Sequence, residues 1–274
     1  MNFIEKYLNI SQKNSSFLCI GLDSDLNKIP KFLLKQKDPL FEFNKKIIDA
    51  TADLVCAYKP NIAFYEVWGI KGIASLKKTI KYIPKNIPVI LDAKRGDIGN
   101  TNRMYAYEIF EYFGADATTV SPYLGFDSIS PFIEYQDKLT FVLCLTSNPG
   151  AKDFQLLKLS FKPLYKIVAQ KVKSWNKNRN LGLVVGATFP QQLKEIRGIV
   201  GNLPLLIPGI GAQGGEIKKV VKYGTDRDGK MAIINSSREI IFASNGKDFA
   251  QKAREKALEL NKKINQALKQ KKNL

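Results

Sequence analysis

Eight short apolar runs, separated by longer amphipathic stretches, limit what this chain can fold into. The runs occupy residues 17–22, 54–58, 89–91, 117–120, 141–145, 181–185, 205–207 and 231–234. Runs this short suit strands buried on both faces, and parallel strands of that kind are joined by crossovers, usually helices. The intervening segments carry helical spacing: Phe43, Ile47, Ile48 and Ala52 share one stripe, as do Leu164, Ile167, Val168, Lys171 and Val172. A last amphipathic segment, 248–268, has Ala250, Ala253, Ala257, Leu260 and Ile264 on one side. It reads as the helix that closes a barrel, although such a stripe also suits a membrane surface. Strand and helix in alternation predict a (β/α)8 TIM barrel. The expectation is one domain over residues 1–274, ending in a short lysine-rich tail at about 268–274.

In barrels of this kind chemistry gathers at the carboxyl ends of the strands. The polar residues fall there. Run by run they are Asp23, Lys59 with Asn61, Asp92 with Lys94, Ser121, Thr146 with Ser147, Thr188, a glycine-rich loop at 208–215, and residues 236–238. A barrel that served only as scaffold has no need of this pattern.

Composition narrows the chemistry. The chain has no histidine, which excludes Ser/His and Cys/His nucleophilic machinery and His-ligated metal. Cys19, Cys56 and Cys144 each lie within an apolar run, and they read as core rather than as a disulfide framework or a metal cluster. The acids and bases left are carboxylate, lysine, tyrosine and cysteine. No apolar stretch approaches the roughly 20 residues of a membrane span. The first 14 residues carry an early acid and do not read as a secretory signal, so a cytoplasmic protein is expected. The net charge of +18 would suit a polyanion such as RNA if the lysines were clustered beside aromatic side chains, but they are dispersed. Neither a nucleic-acid nor a membrane partner is expected.

The strongest local signal is LDAKRGDIGNT, residues 91–101. Residues two apart on an extended strand face the same way, so Asp92 and Lys94 should project together into the barrel mouth. Asp97 follows at the turn, and Thr101, four residues on, shares its face. Lys59 from the neighbouring strand would complete an ionic array. Such an array also fits a salt-bridge network tying strand ends together, but burying charges is costly and stability alone rarely requires it.

A second constellation lies at strands seven and eight, where barrels commonly hold phosphate. IPGIGAQGGE contributes a glycine-rich loop containing Gln213, and NSSREI contributes Arg238, whose planar fork suits phosphate oxygens. Ser236 and Glu239 have capping-box spacing, which marks a helix start with free backbone donors.

These residues resemble a known family, the orotidine 5'-phosphate decarboxylases, in their longer single-function branch. LDAKRGDIGNT resembles the D-x-K-x-x-D signature and KPNIAFYE, residues 59–66, the second-strand motif. GLDSD, LTSNPG, PGIGAQGG and NSSREI follow in the family's order, over about residues 17–242. The resemblance implies a catalytic tetrad of Lys59, Asp92, Lys94 and Asp97. It also implies a homodimer in which Asp97 and Thr101 reach the partner's site. Asp23 and Asn61 would hold ribose hydroxyls or neighbouring groups, Ser147 the pyrimidine edge, and Gln213 and Arg238 the phosphate. Ile98, Thr146, Pro208 and Ser237 complete the implied nucleotide contacts, with no cofactor and no metal. Ser237 departs from the shorter branch, where glycine usually precedes the arginine. A related metal-dependent sugar-phosphate decarboxylase or aldolase shares the D-x-K-x-x-D pattern, but Lys59 would repel its metal.

Overall fold

In a computed structural model describing residues 1–210 and 216–272, each of the eight apolar runs forms a strand. They are β1 (Leu18–Gly21), β2 (Ala57–Lys59), β3 (Ile90–Arg95), β4 (Ala117–Val120), β5 (Leu139–Leu145), β6 (Leu181–Val185), β7 (Leu205–Pro208) and β8 (Ala232–Ser236). All pair in parallel, running from β2 through β1, β8, β7, β6, β5 and β4 to β3. Single parallel bridges, Tyr58 to Val89 and Asn61 to Asp92, join the two ends of that order. The sheet is thus a nearly closed (β/α)8 barrel.

Alternation along the strands makes two cores. Cys19, Ala57, Ile90, Ala117, Phe141, Val184, Leu206 and Ile233 fill the barrel, where small residues suit the crowded axis. Leu18, Ile20, Tyr58, Leu91, Val120, Leu183, Ile207 and Ile234 face outward onto the helices. All three cysteines are buried, as expected, and burial pushes the Cys19 thiol up to about 12.

The long helices are α1 (Phe3–Lys13), α2 (Pro39–Thr51), α3 (Gly69–Tyr82), α4 (Gly99–Tyr107), α5 (Leu164–Trp175), α6 (Pro190–Val200), α7 (Ile217–Gly224) and α8 (Phe249–Lys272). Helix α1 precedes the barrel and closes its bottom. Asn2 and Glu5 form its capping box, Phe3 packs edge-on against Phe141, and the Tyr7 hydroxyl donates to Ala232 O at 3.1 Å. The amphipathic end segment is a barrel helix, packed against α2 and α7, and not a membrane-surface element.

Two expectations change. The buried stripe of α5 is Tyr165, Ala169 and Val172, while Lys171 is exposed and Ile167 only half-buried. The i, i+4, i+7 set containing the aromatic residue wins because it buries the larger side chain. The residues expected as a tail from about 268 instead continue α8 to Lys272. Leu268 is buried, and Lys271 Nζ donates to Thr225 O and Oγ1 and to Asp226 O.

Candidate active site

The carboxyl ends of the strands surround a cavity of about 490 Å³. Lys59, the last residue of β2, lies opposite Gly21 and two residues beyond the inward-facing Ala57, so its stem rises through the barrel axis. Its ammonium is 2.9 Å from Asp92 Oδ2 and 3.9 Å from Asp23 Oδ1. Lys94 Nζ is 2.6 Å from Asp92 Oδ1. The charges therefore alternate: Asp23, Lys59, Asp92, Lys94.

Burial alone would raise the Asp92 carboxyl, but Lys59 and Lys94 hold it well below the usual carboxylate range. Burial alone would lower the Lys59 ammonium, but the carboxylates of Asp92 and Asp23 hold it above its ordinary value. Both groups are charged at neutral pH. The side chain of Lys94, 47% exposed, is the member of the array open to solvent.

Lys94 reaches Asp92 by a route that strand alternation does not describe. The register of β3 against β4 shifts between Leu91 and Arg95, and Lys94 has a left-handed φ of 47°. Side chains of this type rarely adopt that conformation without compensation. Here the Lys94 N–H donates to Thr119 Oγ1 at 2.9 Å, and that hydroxyl donates to Asp92 Oδ1 at 2.8 Å. Thr119, in β4, was not among the expected site residues. Its signal was a threonine at the inward-facing alternate position of the run Ala-Thr-Thr-Val.

Of the expected residues, Asp23, Lys59, Asn61, Asp92, Lys94, Thr146, Ser147, Pro208, Ser237 and Arg238 line the cavity. Asp97, Ile98 and Thr101 do not. Among the described residues no ion pair joins Asp97 to the array, and its carboxylate accepts the Ile98 N–H at 2.8 Å. Buried Asn102 pins this turn by bonding the backbone of Asp97 and the carbonyl of Ser128. Ile98 and Thr101 are exposed on the outer surface. Gln213 lies outside the described residues.

On the β5 side, Thr146 is held by Gln155, whose Oε1 accepts the Thr146 N–H at 2.7 Å. Ser147 passes so close to Gly186 that a Cβ there would come within 2.8 Å of its backbone nitrogen. On the β8 side, a Cβ at Gly21 would lie 1.8 Å from Ser237 Oγ, so glycine at 21 makes room for that serine. The capping box read from Ser236 and Glu239 does not form. Ser236 is the last residue of β8, paired with Ile20, which leaves Ser237 as cap of the single turn Arg238–Ile241 without a side-chain bond. Among the described residues Ser236 Oγ is buried with no hydrogen-bond partner. Arg238 is exposed at the cavity rim.

A family model described as orotidine 5'-phosphate decarboxylase / HUMPS family matches residues 16–253. The chain belongs to this family. Among similar curated proteins, the orotidine 5'-phosphate decarboxylase of Flavobacterium johnsoniae is 54% identical over 92% of this chain and 93% of its own. That of Cellvibrio japonicus is 52% identical over 97% and 99%. Among solved structures, OMP decarboxylase of Leishmania donovani superposes with a TM-score of 0.84 at 40% identity, covering 96% of this chain and 99% of that one. Of the D-x-K-x-x-D pattern at residues 92–97, Asp92 pairs with both Lys59 and Lys94 at the cavity floor.

Proposed function

We propose that this site removes carbon dioxide from orotidine 5'-phosphate to give uridine 5'-phosphate in pyrimidine biosynthesis, with Lys94 as proton donor to C6. The chain is an enzyme of the carboxy-lyase class. The observation that carries the mechanistic reading is the charge alternation at the cavity floor, which ends in the solvent-facing Lys94.

Breaking the C6–carboxylate bond leaves an electron pair in the plane of the pyrimidine ring, where the ring carbonyls cannot take it up by resonance. A cation already in place beside C6 lowers that barrier without reorganising during the reaction. Lys94 Nζ fills this role, then transfers a proton to C6 as carbon dioxide leaves. The neutral amine regains its proton from solvent, to which the half-exposed side chain has access. Asp92, held ionised by two ammonium groups, keeps the Lys94 ammonium aimed through its 2.6 Å contact. It also lies where a substrate carboxylate would meet negative charge, which raises the energy of the bound ground state. Lys59 balances Asp92 from below.

The ribose end of the nucleotide falls to Asp23 and Asn61, and the pyrimidine edge to Ser147, beside Thr146. Arg238, with the backbone around Pro208 and Ser237, takes the phosphate, joined by Gln213. Binding energy from this remote group is spent on reaching the transition state. On this reading the reaction uses no cofactor, and the Lys59 ammonium, set between the carboxylates of Asp23 and Asp92, would repel a metal ion there.

The active unit on this reading is a cytoplasmic homodimer. Support comes from the surface after β2 and β3, which exposes Val67, Trp68, Ile70, Ile98, Met104 and Tyr107. Exposed apolar side chains of this kind suit an association face. On this reading Asp97, Ile98 and Thr101, which do not line their own chain's cavity, serve the partner's. The deciding experiment mixes purified protein with orotidine 5'-phosphate in excess chelator and follows loss of orotate absorbance. Turnover is expected, and none at all, or turnover only with added metal, would overturn the reading.

A further inference from the structure

We propose that Thr119 is a positioning residue for this decarboxylation, one hydroxyl that sets Lys94 and Asp92 against each other. The inference rests on the functional reading above. Thr119 is buried at 1% exposure, in register with Phe141 of β5, whose ring lies inside the barrel. A hydroxyl has one proton to give and lone pairs to accept with. Thr119 uses both. The proton goes to Asp92 Oδ1, at 2.8 Å, and the oxygen accepts the Lys94 N–H, at 2.9 Å.

The second bond explains how a lysine keeps a φ of 47°. Where β3 slips against β4, the amide of Lys94 loses its regular place in the ladder, and the threonine oxygen replaces the missing carbonyl. Without that acceptor the residue would relax toward the extended region, and its side chain would swing away from the axis. The first bond fixes the carboxylate oxygen that Lys94 Nζ itself meets at 2.6 Å. One side chain thus determines both the backbone from which the proton donor starts and the anion at which it points. Its neighbour Thr118 is an internal contrast: equally buried, it bonds Leu91 O at 2.9 Å on the outer face and touches neither charged group.

The test is steady-state kinetics on the full-length protein with orotidine 5'-phosphate. Thr119→Val keeps the shape and removes the hydroxyl. Its kcat should fall about 100-fold, the cost of displacing a reacting group by about an ångström, with KM within about 3-fold. Thr119→Ser should recover to within about 5-fold of wild type, and Thr118→Val should stay within about 3-fold. Should Thr119→Val fail to fold, Thr119→Ala removes the same hydroxyl without added strain and carries the same expectation. A Thr119→Val enzyme within about 3-fold of wild-type kcat, a loss confined to KM, or an equal loss in Thr118→Val overturns the assignment. An inactive wild-type enzyme would sink the functional reading and this inference with it, whereas an active wild type with an undiminished variant sinks this inference alone.

Discussion

Lys59 and Asp92 form an ion pair at 2.9 Å, with side chains only 5% and 10% exposed. A buried pair of this kind is weak evidence for stability in itself, because desolvation of both charges offsets much of their attraction. It is strong evidence for function. The pair keeps Asp92 ionised next to Lys94, and it does so at the bottom of a cavity rather than at a subunit edge.

The pH dependence of this pair follows from the two opposed shifts. Asp92 is lowered in the folded state, so its contribution is present above the unfolded value of about 3.9 and lost as pH falls through the depressed folded value. Lys59 is raised, so its contribution is present below about 10.4 and lost as pH rises through the elevated folded value. Lys59→Met, which removes the buried cation and leaves Asp92 only the half-exposed Lys94, should lose up to about 3–5 kcal/mol by urea unfolding. That loss should be level between about pH 5 and 9. A steep slope inside the window would mean that one of the two groups titrates there.

Lys94→Ala should lower kcat by about 1000-fold or more while leaving the unfolding midpoint within a few degrees, because it removes the proton donor but no buried charge. Retention of a tenth of the wild-type rate would move the donor role to another group.

If Asp97 serves the partner's cavity, two inactive variants should rescue each other. In an equal mixture of Lys94→Ala and Asp97→Asn subunits, random exchange makes half the dimers mixed, each with one intact site, for about a quarter of wild-type activity. Stimulated turnover after denaturation and joint refolding checks this. No recovery would show that each site is built from a single chain.

Gly21→Ala places a methyl group within the space of Ser237 Oγ, 1.8 Å away. The expected result is a loss of about 1–3 kcal/mol in stability together with a raised KM, since Ser237 and Arg238 must shift. An unchanged KM would separate this serine from the phosphate end of the site.

Much of this protein was determined by sequence alone. Eight short apolar runs became eight strands because a strand buried on both faces needs continuous apolar character, which is a local property. The charged residues of the cavity floor could be located for a related reason: a polar residue ending such a run has only the barrel mouth in which to be solvated. Tertiary structure decided the rest. Helix α1 has no partner for Phe3 and Tyr7 until the barrel bottom exists. The buried face of α5 was chosen by which side chains fitted the strands beneath. Ser236 could not cap a helix because the ladder with β1 still held it. The approach of Lys94 to Asp92 depended on a strand slip and on a hydroxyl from β4, neither written in the spacing of residues 92 and 94. Asp97 stands apart from the array for the same reason: proximity across strands is set by register, and register is a property of the closed sheet, not of any one segment.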